Sequence, residues 1–265
     1  MSITPIFDPD KKGRPMRVAA FMSGSGTNII KLIEREKDLA AKEGVSPFQV
    51  IFIFSDRSDG GSQGENIAHK NGLPYFSYDI RSFHRLRSLK RTVRTPEGLA
   101  ARKKFDQVAQ RLVHKFEIDV IALGGYMSYT TLNRCVNVHP ADLSIHTEAG
   151  PRKYVGDNAV YDAISGQESI LRASTLWTDE GVDTGPLLME NALPVGLPKP
   201  IEDLRKNSEQ YVEIVDEHQE RLKEVGDWVI FPQTIEMIAR GRFALDQGDR
   251  VYVDGRPVPE GYRES

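Results

Sequence analysis

The fold is decided by the stretch from Arg17 to Asn28, which reads Arg-Val-Ala-Ala-Phe-Met-Ser-Gly-Ser-Gly-Thr-Asn. Its first six residues are almost wholly apolar and too few for a surface helix, so they predict a buried strand. The next six residues contain two glycines. Apolar residues at helical spacing follow from Ile29 to Ile33 and predict a helix that runs to about Lys42. Strand, glycine-rich turn and helix form the first half of a β-α-β unit.

The glycine-rich turn allows two interpretations. Gly24 and Gly26 let the backbone approach a ligand closely, and Thr27 or Asn28 begins a helix whose first amides attract anions, phosphate above all. The turn lacks the Lys-Ser/Thr ending of a nucleoside triphosphate loop and is too short for a dinucleotide fingerprint. A phosphate-binding turn and a tight turn without a ligand therefore both stay open.

Three further apolar runs predict strands of the same sheet: Gln49 to Phe54, Asp119 to Leu123 and Cys135 to Val138. Their continuous apolar character is typical of parallel strands that are covered on both faces. Cys135 fits this setting as a small buried hydrophobe. We therefore predict a Rossmann-like α/β fold, in which helices flank a mostly parallel, twisted sheet.

Composition narrows the class of protein. The chain has 265 residues, 35 basic and 38 acidic, and a net charge of −3, so no global charge favours nucleic acid or membrane as a partner. One cysteine excludes an internal disulfide framework and fits a reducing cytoplasm. No run reaches the ~18 apolar residues of a membrane span. The histidines show no metal-ligand spacing, so we predict no metal site.

The stretch Asn137-Val138-His139-Pro140 is the first candidate for chemistry. Side chains two residues apart on a strand point to the same side, and Pro140 ends the strand at once. Ligands of open α/β sheets bind at the ends of the strands. His139 can polarise a carbonyl there, and Asn137 can donate a hydrogen bond to the same oxygen. A strand that merely ends in a polar turn is the alternative.

An acidic loop is the second candidate. Thr178 to Pro186 contains two glycines and the acidic residues Asp179, Glu180 and Asp183, and apolar strands bracket it. Such a loop can bring a carboxylate to His139 and fix the orientation of the ring. An ordinary acidic hairpin turn is the alternative. The polar stretch from Ala141 to Gly156 before it predicts a long loop.

A basic segment lies between Arg81 and Arg94, with six cations and no acidic residue. The apolar positions at helical spacing within it are Phe83, Leu86, Leu89 and Val93. This pattern predicts either a solvated amphipathic segment or an anion-binding patch.

Taken together, these motifs make the chain similar to a known family, the folate-dependent formyltransferases. The motifs that carry the resemblance are Ser23 to Asn28, Phe54 to Arg57, Gly125-Tyr126-Met127, Asn137 to Pro140, Thr178 to Pro186, Ala239 to Arg242, and Val251 to Arg256 with Gly261-Tyr262. They cover nearly the whole chain from about Met16. Within the family, enzymes that formylate glycinamide ribonucleotide in de novo purine synthesis are the most similar.

The resemblance implies a reaction and a catalytic set. A formyl group passes from 10-formyltetrahydrofolate, as co-substrate, to an amine. Asn137 and a protonated His139 stabilise the negative charge that develops on the formyl oxygen. Asp183 keeps His139 charged and takes part in removing the proton of the attacking amine.

The resemblance also implies binding residues. Gly26, Thr27 and Asn28 hold the phosphate of the acceptor, and Glu217 its ribose. The folate lies against Met127, Ser128, Tyr129, Thr130 and Val182. On this basis residues 1–15 are an N-terminal arm and 16–265 a single domain, with a phosphate-binding half over about 16–136 and a folate-binding half over about 137–265. Partners are small molecules, and the protein is a monomer or homodimer.

Several departures from the family pattern leave the acceptor open. Ser128 stands where the family usually has an Arg that grips the folate's glutamate tail, and Thr175 replaces a His. The segment after His139 is altered, and residues are inserted near 85–96 and 220–229. An amino-sugar formyltransferase, or a catalytically silent protein that binds folate or nucleotide, is therefore the alternative.

Overall fold

The computed structural model describes residues 2–156 and 158–264. The strands in chain order are β1 (Thr4–Pro5), β2 (Met16–Met22), β3 (Phe48–Ser55), β4 (Tyr75–Ser77), β5 (Val120–Leu123), β6 (Cys135–His139), β7 (Ile170–Trp177), β8 (Leu187–Pro194), β9 (Phe243–Leu245), β10 (Val251–Val253) and β11 (Arg256–Pro257). The α-helices are α1 (Pro9–Lys12), α2 (Thr27–Glu43), α3 (Gly64–Asn71), α4 (Ile80–Leu86), α5 (Pro96–Lys115), α6 (Ala159–Ser165), α7 (Ile201–Leu204), α8 (Ser208–Leu222) and α9 (Trp228–Ala239). A π-helical turn, Lys223–Asp227, joins α8 to α9.

The main sheet has seven strands in the order β4-β3-β2-β5-β6-β7-β8. The pairs β4-β3, β3-β2, β2-β5 and β5-β6 are all parallel, whereas β7 and β8 are antiparallel. Every residue of β2 except Arg17 is buried, as expected for a central strand with helices on both faces. The predicted α/β fold with a mostly parallel sheet is therefore confirmed.

The chain divides into two compact units. Unit A comprises Ile6–Asn137 and Ile235–Gly241. Unit B comprises Met1–Pro5, Val138–Thr234 and Arg242–Ser265. The single domain with two halves that we predicted from the sequence stays a prediction.

Unit A is organised around an aromatic core on β2 and β3. Phe21 contacts Phe54 and Tyr126 at ring-centroid distances of 4.7 and 5.5 Å. Helix α5 covers this core and begins as the sequence predicts, because the Thr95 side chain accepts a hydrogen bond from the amide of Gly98 and Pro96 occupies the first turn.

Unit B is organised around the β7-β8 pair. The π-helical turn lies against β7, since a Cβ on Gly226 would come within 2.5 Å of the Ala173 Cβ. The hydroxyl groups of Thr175 and Thr234 lie 2.8 Å apart in the buried interior. A second sheet of this unit, in the order β1-β9-β10-β11, includes the N-terminal residues Thr4 and Pro5.

Among residues 2–156 and 158–264, no helix is long and apolar enough to cross a bilayer.

Candidate active site

The glycine-rich turn after β2 leads directly into α2, as predicted. Gly26 has a φ of 74° and is the residue before the helix, which no side chain caps. A Cβ there would lie 2.5 Å from the Met22 Cε and 2.6 Å from the Ile67 Cδ1, so a side chain would be strained by the backbone conformation and would displace the ends of two buried side chains. No side chain therefore caps the first backbone amides of α2. Uncapped amides at a helix N-terminus can bind an anion.

A buried carboxylate, Asp56, fixes the residues after β5. Asp56 accepts hydrogen bonds from the hydroxyl groups of Ser23, at 2.7 Å, and Ser128. The Ser23 hydroxyl in turn accepts the amide of Met127 at 2.9 Å, and the Ser23 amide donates to the carbonyl of Gly125 at 3.0 Å. One carboxylate therefore links the turn after β2 to the segment that we predict to bind folate.

A second buried network holds the same segment from helix α5. The Arg102 guanidinium donates to the Asp106 carboxylate and, at 3.1 Å, to the Tyr126 hydroxyl. Asp106 also accepts the amide of Thr131 at 2.7 Å. Burial raises the pKa of Tyr126 well above its usual value, so the hydroxyl stays neutral. Between these anchors Met127 is 71% exposed, which leaves an apolar side chain available to a ligand.

In unit B, His139 and Asp183 come together as the sequence predicts. The His139 Nε2 lies 3.7 Å from the Asp183 Oδ2, and the two side chains are 14% and 10% exposed. That distance exceeds a hydrogen bond, but it is within the range of an ion pair with a protonated imidazole. Low exposure strengthens the interaction, because little water screens it.

The loop that carries Asp183 joins β7 to β8 and has a tightly determined shape. The Asp179 carboxylate accepts the Gly181 amide at 2.9 Å and the Thr184 hydroxyl at 2.7 Å. A Cβ on Gly185 would lie 1.9 Å from the Trp177 carbonyl oxygen, so only glycine fits. Asp183 itself adopts a φ of 53°, in the left-handed region. The glycines and Asp179 of the motif are thus explained by the backbone that presents Asp183.

The segment after His139 is more ordered than the long loop that we predicted. Residues 145–153 fold back on themselves, with a β-bridge between His146 and Arg152 and a 2.9 Å hydrogen bond from the Lys153 amide to the Ile145 carbonyl. Arg152 donates to the backbone carbonyls of Asp183 and, at 2.8 Å, Gly185. Sequence patterns did not reveal this contact, because it joins two polar segments that carry no periodicity.

The remaining predicted site residues lie in different settings. Asn137 is half-buried on β6 in unit A and pairs with Leu123 of β5. The strand then passes into unit B, which includes His139. Val182 is 58% exposed on the acidic loop. Glu217 is exposed on α8.

One carboxyl group that we did not predict stands out in unit B. Asp227, in the π-helical turn, is only 4% exposed, and its Oδ1 has no hydrogen-bond partner among residues 2–156 and 158–264. Burial raises its pKa from 3.8 to about 7. Such a group can accept hydrogen bonds from the hydroxyl groups of a ligand. The only hint in the sequence is its position directly before the strongly apolar run that begins at Trp228.

These features define a class of site in unit B: an imidazole beside a carboxylate, both of low exposure. Across residues 2–156 and 158–264, no group of three or more His, Cys, Asp or Glu residues is arranged to hold a metal ion.

Comparisons with known proteins identify the family. Residues 16–214 match the family model described as formyl transferase. The trifunctional purine biosynthetic protein adenosine-3 of Drosophila melanogaster is 26% identical over 235 residues, which span 86% of this chain but only 14% of that protein. Phosphoribosylglycinamide formyltransferase of Haemophilus influenzae is 22% identical over 253 residues, 93% of this chain and 98% of that protein.

Solved structures show the same fold. The phosphoribosylglycinamide formyltransferase of Coxiella burnetii superimposes with a TM-score of 0.65 at 21% identity, covering 95% of this chain and all of that one (100%). Because the family model spans most of the sequence, this chain belongs to the formyl transferase family. The resemblance drawn from the motifs is confirmed, and so is the prediction of a formyl-transferring enzyme.

Proposed function

We propose that the protein transfers the formyl group of 10-formyltetrahydrofolate to the amine of glycinamide ribonucleotide, a step of de novo purine synthesis. The observation that carries the proposal is the approach of Asp183 to His139, 3.7 Å apart, at the end of the strand that also bears Asn137. The name of the Haemophilus influenzae relative supports the choice of acceptor, and the name of the fly relative supports a role in purine synthesis.

The reaction uses each of the three side chains. The acceptor nitrogen attacks the formyl carbon, and the carbonyl electron pair moves onto the formyl oxygen. Asn137 and the imidazolium of His139 donate hydrogen bonds to that oxygen, a contribution of ~3–4 kcal/mol for each donor. Asp183 takes up the proton of the attacking nitrogen, directly or through water, and the bond to the folate nitrogen then breaks as that nitrogen gains a proton.

Unit A carries two binding segments in this proposal. The acceptor's phosphate lies on the amides of Gly26, Thr27 and Asn28, where α2 begins without a side-chain cap. The folate lies against Met127, Ser128, Tyr129 and Thr130, whose backbone is held by Asp56 and Asp106. In unit B, the exposed Val182 adds an apolar contact to the folate.

Two carboxylates of unit B are candidates for the acceptor's ribose. Glu217, the residue expected from the resemblance, is exposed on α8. Asp227 is buried and has an oxygen without a partner among the described residues, so it gains more from a ligand hydroxyl. A change in KM for the acceptor in Glu217→Gln or in Asp227→Asn tells the two apart.

We place the reaction in the cytoplasm as a monomer or homodimer. The chain has one cysteine, Cys135, which is buried, and so small a cysteine content fits a reducing compartment. Analytical ultracentrifugation of the purified chain measures the oligomeric state.

The test is an assay of formyl transfer from 10-formyltetrahydrofolate to glycinamide ribonucleotide, in which the release of tetrahydrofolate is measured. We expect turnover in the wild type and a loss of about 100-fold or more in kcat for His139→Ala and Asp183→Asn. His114→Ala, at an exposed histidine near the end of α5, is the control and keeps full activity. Folate binding without turnover would reject this acceptor. Turnover with an amino sugar would then support an amino-sugar formyltransferase, and folate binding without turnover for any amine would support a catalytically silent binding protein.

A further inference from the structure

The hairpin formed by residues 145–153 has no role in the proposed chemistry, yet its residue Arg152 donates hydrogen bonds to the loop that carries Asp183. The hairpin is closed by two further hydrogen bonds, from the Thr147 amide to the Pro151 carbonyl at 2.8 Å and from the Gly150 amide to the Thr147 carbonyl at 2.9 Å. Arg152 is therefore presented from a defined backbone rather than from a free loop.

The Arg152 guanidinium contacts the loop at two points. One terminal nitrogen donates to the carbonyl of Asp183, and the other donates to the carbonyl of Gly185. A planar fork that meets two carbonyls fixes both their distance and their direction, which a single donor does not. The two carbonyls flank Thr184, so the fork spans the turn immediately after the carboxylate.

The loop has reason to need such a support. Asp183 holds a φ of 53°, a left-handed conformation that is unfavourable for an L-residue unless its surroundings impose it. The hydrogen bonds of Asp179 organise residues 179–184 from one side. Gly185 is closed in by the Trp177 carbonyl on the other. Arg152 supplies the contact to the carbonyl of Asp183 itself.

We propose that Arg152 is a positioning residue, whose bidentate contact with the carbonyls of Asp183 and Gly185 sets the approach of the Asp183 carboxylate to His139. This role rests on the proposed function, because it matters only if that pair performs catalysis. Burial lowers the pKa of Arg152, while the nearby Asp183 opposes that shift, and the guanidinium remains charged at neutral pH. Its charge also lies close to the Asp183 carboxylate without neutralising it by direct contact.

Kinetic measurements distinguish a positioning role of Arg152 from a purely structural one. Arg152→Met removes both donors at similar length, and Arg152→Lys keeps the charge but not the fork. We expect kcat to fall about 10- to 100-fold in the Met variant, since small misplacements of a catalytic group have effects of this size. Arg152→Lys should recover only part of that loss. KM for the folate and for the acceptor should change less than about threefold in both variants, because the proposal has neither substrate in contact with Arg152.

Arg205→Met is the matched control. Arg205 also belongs to unit B, and its guanidinium also donates to a backbone carbonyl, that of Ser165, but far along the chain from the catalytic pair. We expect its kcat to stay within twofold, roughly the scatter of surface substitutions. Thermal unfolding of all three variants shows whether any of them fails to fold.

Two readouts do not depend on stability alone. Arg152→Ala leaves room for a guanidinium, so added methylguanidine should restore part of kcat in that variant and none in Asp183→Asn. Hydrogen exchange of the amides from Gly181 to Gly185 should speed up in Arg152→Met and stay unchanged in Arg205→Met.

The outcomes distinguish the two proposals. If Asp183→Asn and His139→Ala keep activity, the proposed function is at fault. If those variants are inactive while Arg152→Met retains kcat and the same exchange rates, the positioning role of Arg152 is overturned. A rise in both KM values at constant kcat would overturn it as well.

Discussion

Asp227 is a carboxyl group whose burial opposes its ionisation. Its carboxyl group is 4% exposed, and burial raises its pKa to about 7 from an ordinary value of 3.8. In the unfolded chain the group ionises from about pH 4 upward, whereas in the folded protein it stays protonated until about pH 7. Its contribution to stability is therefore complete below the ordinary pKa and is lost as the pH rises through the folded one.

Asp227→Asn removes this titration. We expect the free energy of unfolding of the wild type to fall, relative to the Asn variant, by on the order of a few kcal/mol between pH 4 and pH 7. Urea unfolding at several pH values measures the difference. Asp216→Asn, at an exposed aspartate on α8, is the control. If the free energies of unfolding of the wild type and of Asp227→Asn change equally with pH, the raised pKa of Asp227 is contradicted.

Ser128 offers a second prediction at the scale of single residues. Its hydroxyl donates to the Asp56 carboxylate, which also receives Ser23. Ser128→Ala leaves a buried carboxylate with one donor fewer and loosens the residues proposed to contact folate. KM for the folate should rise about 3- to 10-fold, equivalent to ~1 kcal/mol, with little change in KM for the acceptor.

Ser58→Ala is the control for that variant, because Ser58 is exposed and lies two residues after Asp56. Equal effects on both KM values would speak against a local role at the folate. The contact between Asp56 and Ser128 could not be predicted from the sequence, since they are 72 residues apart and only the parallel pairing of the strands brings them together.

At the scale of elements, the central strands were predictable and the irregular segments were not. The predicted strand Arg17 to Met22 is observed as Met16–Met22, and Gln49 to Phe54 as Phe48–Ser55. Continuous apolar runs predict such strands well because both faces are covered. The helical spacing within 81–94 was misleading. Helix α4 ends at Leu86, and that residue is 78% exposed.

At the candidate site, local spacing could be predicted from the sequence and long-range contacts could not. The spacing of Asn137 and His139 on β6 could be predicted, because strand period two is a local property. The fold-back of residues 145–153 depends on turns and on the contact of Arg152 with a distant loop, so no local pattern announces it. The family resemblance singled out Asp183, whereas the residue pattern alone left two interpretations open, a loop that brings a carboxylate to His139 and an ordinary acidic turn.

The turn before α2 yields a prediction for an element. Gly26→Ala must place a Cβ within 2.6 Å of Met22 and Ile67 at a φ of 74°, so it should destabilise the protein by about 2–4 kcal/mol. Gly24→Ala is the matched control, since a Cβ there has no atom within 4 Å and should change stability by less than ~0.5 kcal/mol. Chemical denaturation of both variants makes the comparison. Equal losses would mean that the turn tolerates a side chain.

At the scale of the whole molecule, each unit is assembled from parts of the chain that are distant in sequence. Unit B takes its second sheet from both ends, because β1 pairs with β9 in an antiparallel register that sets Thr4 opposite Leu245. Residues 6–15, which we predicted as part of an N-terminal arm, belong to unit A. Two-residue strands and single buried side chains give no periodic signal, so these long-range attachments could not be derived from the sequence.

The N-terminal attachments to unit A centre on Phe7 and Asp119. Phe7 is 3% exposed, and the Asp119 carboxylate accepts a bidentate hydrogen bond from Arg14, at 2.6 and 3.2 Å, beside Lys12 at 3.2 Å. Burial opposes ionisation of Asp119, but the hydrogen bond from Arg14 prevails and lowers its pKa. The stabilisation is thus present above the ordinary pKa of an aspartate and is lost as the pH falls through the lowered one.

Deleting residues 2–15 should therefore cost about 3–5 kcal/mol at neutral pH, from the lost burial of Phe7 and from a carboxylate left without its cations. The deficit should shrink in acid, where Asp119 is protonated in both proteins. Deleting residues 2–5 alone removes β1 and leaves Asp119 paired, so its smaller effect should not vary over the same pH range. Urea unfolding of the three proteins from pH 3 to pH 7 measures both trends. If the longer deletion costs no more than the shorter one, residues 6–15 contribute nothing to unit A, and the contacts at Asp119 are incidental to its stability.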